Sequence, residues 1–238
     1  MKVSAENTVL SCEHASHRIP AAYRHLFRAY PDLLISHRGW DPGALECATR
    51  LAKQLHMSLI KGTCNRLVVD LNRSLHHRQV FSEFTRPLPK TVRQAIIDSI
   101  YHPYREQLRQ TIARRIAEHG FVLHLSLHSF SPVMKGSPRR ADIGLLYDPR
   151  RKFEKAIAAR LQLHLTALNP GLKIRRNYPY RGAADGATTQ CRRDFSGRVY
   201  AGVEIEINQK YPLADNRSQW RRVQNNIMLA VKSVFQTV

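Results

Sequence analysis

The sequence predicts a three-layer α/β/α protein on a mixed, largely parallel sheet, and three observations carry that reading. Short apolar runs alternate with amphipathic stretches along most of the chain, an order that sets helices on both faces of a sheet. Two strings, Leu127-His128-Ser129-Phe130-Ser131 and Glu204-Ile205-Glu206-Ile207-Asn208, put chemically capable residues at the ends of apolar runs. Strand ends are where open α/β sheets bind ligands. No internal repeat, low-complexity tract or linker interrupts the chain, so residues 1–238 read as one domain, long enough to bury a substantial core.

Residues 8–12 read as the first strand. Residues 43–55 read as an amphipathic helix, because Leu45, Ala48, Leu51, Ala52 and Leu55 fall at helical spacing. Residues 67–71 read as a second strand. Residues 92–115 read as helix on either side of a break, since Pro103 removes a backbone donor and clashes with the preceding turn. Strands follow at 121–127, after the helix-stop Gly120, and at 143–147. A helix at 152–167 ends at Asn169-Pro170-Gly171, a strand covers 202–207, and a terminal helix covers 218–235. The stretches 75–90 and 177–200 are poorly periodic and read as binding loops or lids.

The chain carries 38 Lys+Arg against 18 Asp+Glu, a formal charge of +20. Such a balance attracts nucleic acid, anionic surfaces or small acidic substrates. The basic residues are dispersed in pairs and triplets such as Arg139-Arg140 and Arg150-Arg151-Lys152, with no basic tail, so nucleic acid is the minority reading. No stretch approaches the roughly 20 apolar residues of a membrane span, and the N-terminus has no secretory apolar region, which predicts a cytoplasmic protein. Cys12, Cys47, Cys64 and Cys191 form no C-x-x-C pair and read as packed, reduced thiols rather than a zinc knuckle.

Four segments cluster by their predicted position at strand ends. The first, Ser11-Cys12-Glu13-His14-Ala15-Ser16-His17, offers two histidines to one ion, with Glu13 able to orient a ligand. The second, Ser36-His37-Arg38-Gly39-Trp40-Asp41-Pro42-Gly43, holds Asp41, either a helix cap or the carboxylate of a histidine-histidine-carboxylate zinc site. The third, Arg66-Leu67-Val68-Val69-Asp70-Leu71-Asn72-Arg73, ends on an arginine suited to gripping a carboxylate through two parallel hydrogen bonds, unless it is an ordinary surface arginine. In the fourth, strand alternation puts His124, Ser126 and His128 on one face, which makes His124 a core histidine and leaves His128 at the exit. A carboxylate among Val203, Ile205 and Ile207, whether Glu204 or Glu206, is costly to bury unpaired and is a candidate general base.

Taken in order, Glu-His-Ala-Ser, Ser-His-x-x-Trp-Asp-x-Gly-Ala, Arg-Leu-Val-Val-Asp-Leu-Asn-Arg, Leu-His-Ser-Phe-Ser-Pro, Asn-x-Pro-Tyr and Val-Glu-Ile-Glu-Ile-Asn-Gln resemble the N-formylglutamate amidohydrolase family, from Val9 to about Tyr211. The chain looks like a divergent branch, reading Glu-His-Ala where better-known members tend to read Pro-His-Ser-Gly. Asp70-x-Asn72-Arg73 and the His128 string are also distantly similar to zinc carboxypeptidases, but the His-x-x-Glu pair of those enzymes is missing, His17 standing at its second position.

The resemblance implies a phosphorylase/hydrolase-like, zinc carboxypeptidase-like fold, and a zinc-dependent hydrolase of the N-acyl amide of a small acidic amino acid rather than of peptide bonds by preference. By the same resemblance His14 and His128 match metal positions and Asp41 is the best match for the third ligand, with His17, His37 and Glu13 as alternatives. Glu206 matches the base in preference to Glu204, and Asn72 with Arg73 matches the carboxylate-binding pair. A second substrate carboxylate needs a second cation, for which Arg181, Arg192 or Arg193 is a candidate, and Asn177 and Tyr180 are candidates to line the pocket.

Overall fold

The structure, a computed structural model, describes residues 2–235. β1 (Thr8–Cys12) leads through a 3-10 turn at Ala21–Phe27 to the short α1 (Pro31–Ile35), then to α2 (Ala44–Leu55) and β2 (Ser58–Lys61). α3 (Lys90–Ile96) runs through a π turn at Ile97–Tyr101 into α4 (His102–His119), which delivers the chain to β3 (Val122–Phe130). A small hairpin, β4 (Val133–Met134) and β5 (Ser137–Pro138), precedes β6 (Ile143–Leu146) and α5 (Lys152–Leu168). β7 (Ile174–Arg176), α6 (Ala187–Asp194), β8 (Tyr200–Asn208) and α7 (Arg217–Val234) complete the order.

The main sheet runs β2-β1-β3-β8-β6-β7, and every pair is parallel except β6 against β8. β3 and β8 form its centre, pairing from Val122 opposite Tyr200 to Phe130 opposite Asn208, with His128 opposite Glu206. On one face Leu123, Leu125, Leu127, Val203, Ile205 and Ile207 pack against α2, α5 and α7, where Leu51, Leu161 and Trp220 are fully buried. Each such aliphatic side chain contributes about 1.5–3 kcal/mol relative to exposure. On the other face Val9, Ile60, Val122 and Tyr200 meet Leu108 and Ile112 of α4. Because side chains alternate along a strand, these two apolar sets leave His124, Ser126, His128, Glu204 and Glu206 facing the α4 side. That register puts the site on this face.

The predicted three layers are present, with differences in detail. Residues 67–71 are not a strand. Val68 and Asp70 donate to Asn65 and Val80 carbonyls, and Arg73 donates to Asp70, while Thr85 Oγ1 satisfies the Val68 carbonyl at 3.0 Å. Turn and side-chain bonds thus replace a ladder in a buried segment. The sheet's second strand in chain order is instead β2, with a half-exposed sequence. Pro103 does not divide the helix, because the π turn just ahead of it opens the ladder where the proline lacks a donor. Finally β7 and α6 occupy stretches that periodicity left without elements, and the strands at β3 and β8 run past residues 127 and 207 to Phe130 and Asn208. His128 therefore lies within its strand. Among the described residues no helix is long and apolar enough to cross a membrane.

Candidate active site

The chain leaves β1 at Cys12 and presents Glu13 and His14 directly at the sheet's carboxyl edge. Asp41 arrives from the other side of the same edge. Its side chain does not cap α2. The N-cap is Gly43, whose φ of +80° gives a left-handed turn that a side chain would strain. Asp41 Oδ2 instead lies 3.3 Å from His14 Nδ1 and 2.9 Å from His128 Nδ1, and accepts the Ser129 N–H at 3.2 Å. One ligand atom from each of His14, Asp41 and His128 lies within 4.8 Å of the others.

The far nitrogen of each ring is held by its own carboxylate. His14 Nε2 is 2.7 Å from Asp70 Oδ1, and Arg66 Nη2 donates to Asp70 Oδ2 at 2.7 Å. His128 Nε2 is 3.1 Å from Glu13 Oε2. Glu13 is completely buried and accepts from the Ser126 hydroxyl at 2.7 Å and from the Tyr104 hydroxyl of α4 at 2.9 Å. Hydrogen bonds donated by Nε2–H to these carboxylates fix the ring orientation and leave Nδ1 as the ligand atom, the arrangement that metal-binding histidines use. Two imidazole nitrogens and one carboxylate oxygen converging this way fit a zinc ion with a position left open.

Electrostatics follows from that packing. Burial opposes charge on His14, as does Arg66, but Asp70 and Asp41 outweigh both and raise its pKa. Burial likewise opposes charge on His128, and Asp41 and Glu13 push its pKa well up. Burial works against ionised Asp41 too, yet the two histidines hold its carboxyl far below the usual range. Glu206 is different. Burial, with Asp41 and Glu204 nearby, raises it to about 7, and its Oε2 has no hydrogen-bond partner. It faces the same cavity, of about 170 Å³, as His14, Asp41 and His128.

The other expected residues divide. Arg73, Asn72, Tyr180 and Arg181 line the cavity. Arg73 Nη1 donates to the Asp185 carbonyl at 2.9 Å, and Asn72 Oδ1 accepts the Ala187 N–H at 2.7 Å at the start of α6. Asn177 is outside the lining; its Oδ1 accepts from the Tyr147 and Gly182 amides, each at 3.1 Å, and folds the loop. Arg192 is buried in an ion pair with Glu154 at 3.0 Å, and Arg193 lines other clefts. His17 packs edge-on to Trp40, and His37 is exposed. Glu204 bonds the Thr188 hydroxyl. His124 is a satisfied core histidine between Ser11 at 2.8 Å and Tyr200 at 2.9 Å, its pKa lowered by burial to about 4. Sequence reasoning missed Arg66 and Asp70 as a pair, although their spacing of four, beside Asn72-Arg73, was the available signal.

A carboxyl-edge cavity that joins this triad to an unpartnered glutamate has the parts of a hydrolase centre. Comparison with known proteins agrees. The family profile of N-formylglutamate amidohydrolase matches residues 7–211. A gene product of Agrobacterium tumefaciens superposes with a TM-score of 0.77 at 30% identity, covering 96% of this chain and 91% of that one. The N-formylglutamate amidohydrolase of Ralstonia eutropha superposes with a TM-score of 0.69 at 19% identity, covering 98% and 94%. No curated protein matches the sequence. The chain belongs to the N-formylglutamate amidohydrolase family, hydrolases that act on an amide bond.

Proposed function

We propose that residues 1–238 form one zinc-dependent catalytic unit that removes the N-acyl group, formyl in the first instance, from a small acidic amino acid such as N-formyl-L-glutamate, releasing formate and glutamate. The observation that carries this reading is the unpartnered Oε2 of Glu206 on the cavity where His14 Nδ1, Asp41 Oδ2 and His128 Nδ1 converge. His14, Asp41 and His128 would hold a zinc ion, which when bound would supply Lewis acidity towards a carbonyl and would lower the pKa of water towards about 7.

The chain's own residues do the rest. Glu206 takes the proton of the attacking water and returns it to the leaving amine as the carbon–nitrogen bond breaks. Arg73 keeps N–H donors beyond the one bonded to Asp185 and grips a substrate carboxylate, with the neighbouring Asn72 side chain tying this segment to the start of α6. Arg181 is the cation for a second carboxylate, as the acidic amino acid requires. Asp70 and Glu13 hold the two rings in the ligating orientation.

The test is elemental analysis of the purified protein, coupled to formate release from N-formyl-L-glutamate before and after chelation. Stoichiometric zinc and formate release that stops with the chelator and returns with zinc is the expected result. Full activity in metal-free protein overturns the zinc, and inactivity of the zinc-loaded protein on every N-acyl acidic amino acid overturns the substrate.

A further inference from the structure

We propose that Arg139 is a positioning residue for the mouth of the cavity. By donating to the Tyr180 hydroxyl and stacking on its ring, it holds that phenol over the cavity with the phenolic proton free for a substrate oxygen. The proposal rests on the reading of this cavity as the substrate site.

Tyr180 lines the cavity yet is 44% exposed, on a loop whose Asn177 has a φ of +50°. An exposed tyrosine with two free torsions does not stay in one place without help. Arg139, just past the β4–β5 hairpin, supplies it. Its Nη1 lies 3.1 Å from the Tyr180 hydroxyl, and its guanidinium carbon lies 5.1 Å from the Tyr180 ring centroid and 5.8 Å from that of Phe130, at the end of β3. The guanidinium thus stands between the histidine-bearing strand and the loop that closes the cavity.

Its backbone is tied down as well. The Arg139 N–H donates to the Pro132 carbonyl at 2.7 Å, and its carbonyl accepts from Asn208 Nδ2 at 3.3 Å, two residues beyond Glu206. The chemistry of the contact has a direction. Guanidinium only donates, so the Tyr180 oxygen is the acceptor there and its own O–H points elsewhere. Stacking on the ring face adds a cation–aromatic attraction that a lysine reproduces less well.

Two measurements on Arg139→Ala, Arg139→Lys, Tyr180→Phe and the Arg139→Ala/Tyr180→Phe double variant test it. In hydrogen exchange, Arg139→Ala is expected to speed exchange about tenfold or more at the bonded amides of Asn177, Gly182 and Ala184, while β8 amides keep wild-type protection. In kinetics, Arg139→Ala and Tyr180→Phe are each expected to lower kcat/KM about tenfold, mainly through KM, with Arg139→Lys intermediate and the double variant no worse than either single one. Unchanged exchange in the 177–186 loop overturns the proposal, and so do additive losses in the double variant. Should the wild-type protein cleave no N-acyl acidic amino acid, that failure belongs to the functional reading, and the exchange measurement alone decides the role of Arg139.

Discussion

At the scale of single residues, Glu206 carries a carboxylate oxygen that is buried and unbonded, and the arrangement has an energetic as well as a chemical side. Its pKa stands at about 7 in the folded protein against an ordinary value of 4.5. Below 4.5 the group is neutral in both states and contributes nothing; between 4.5 and 7 folding carries a growing penalty; above 7 the full penalty, about 3 kcal/mol, applies. Metal-free Glu206→Gln is therefore expected to melt above the metal-free wild type at pH 8.5, with the gap closing by pH 4.5, as calorimetry at the two pH values checks. Activity moves the other way: kcat should fall 10²–10⁴-fold in Glu206→Gln with zinc retained, and less in Glu204→Gln, whose partner is the Thr188 hydroxyl. If Glu204→Gln is the inactive variant, the base is two residues earlier. His14→Ala and His128→Ala should each lose bound zinc, and Asp70→Asn should weaken it about 10–100-fold in a competition titration against a chromophoric chelator. Retention of zinc by His128→Ala would remove the triad from consideration.

At the scale of elements, the sheet is built so that loops approach it closely where the chemistry lies. A Cβ on Gly144 of β6 would sit 1.9 Å from the Tyr178 carbonyl oxygen and 3.2 Å from Glu206 Cβ. Gly144→Ala must therefore displace the loop that carries Tyr180 and Arg181. A fall in kcat/KM of tenfold or more, together with a lower melting temperature, is the expected outcome; wild-type kinetics would mean that the loop is not a wall of the site. Tyr104→Phe tests the reach of α4 in the same way, since it deletes one donor to Glu13 and should lower zinc affinity without touching the ligands.

Most of this framework was legible in the sequence. β1, β3, β6 and β8 are short apolar runs, and in β3 and β8 polar residues alternate with apolar ones at a period of two, the pattern that also marked His128 and Glu206. Residues 67–71 misled because a short, buried, largely apolar run looks the same whether its backbone pairs in a ladder or turns upon itself. β2 escaped because Ser58-Leu59-Ile60-Lys61 is short and half-exposed at the sheet's edge, and α6 because Ala187-Thr188-Thr189-Gln190-Cys191-Arg192-Arg193-Asp194 is almost wholly polar and carries two β-branched residues. What sequence could not supply was the partner of each buried charge. Arg192 with Glu154, and Asp70 with His14, are pairings across 38 and 56 positions.

At the scale of the whole molecule, the charge of +20 is the outstanding property. If the substrate is the dianionic amino acid proposed, a field of that sign would concentrate it near a cavity that holds Arg66, Arg73 and Arg181. Raising ionic strength is expected to lower kcat/KM for N-formyl-L-glutamate while leaving kcat nearly constant, and to have little effect on a neutral N-formyl amino acid. A nucleic-acid role predicts a different pattern, binding that weakens steeply with salt and is indifferent to chelators. Duplex retention at physiological salt together with absent formate release would favour that role.

The four thiols give the chain a built-in gauge of its own opening. Cys12 and Cys47 lie in the core between the sheet and α2, α5 and α7, while Cys64 and Cys191 lie in the core on the α4 side, all free and buried. Burial pushes the Cys47, Cys64 and Cys191 thiols up to about 12, so a disulfide reagent meets almost no thiolate in the native protein. Labelling must await an opening event, and the four sites divide evenly between the two layers. Mass spectrometry of labelled peptides over time would then report whether the two helical layers come away from the sheet together or one before the other, with no engineered probe at all.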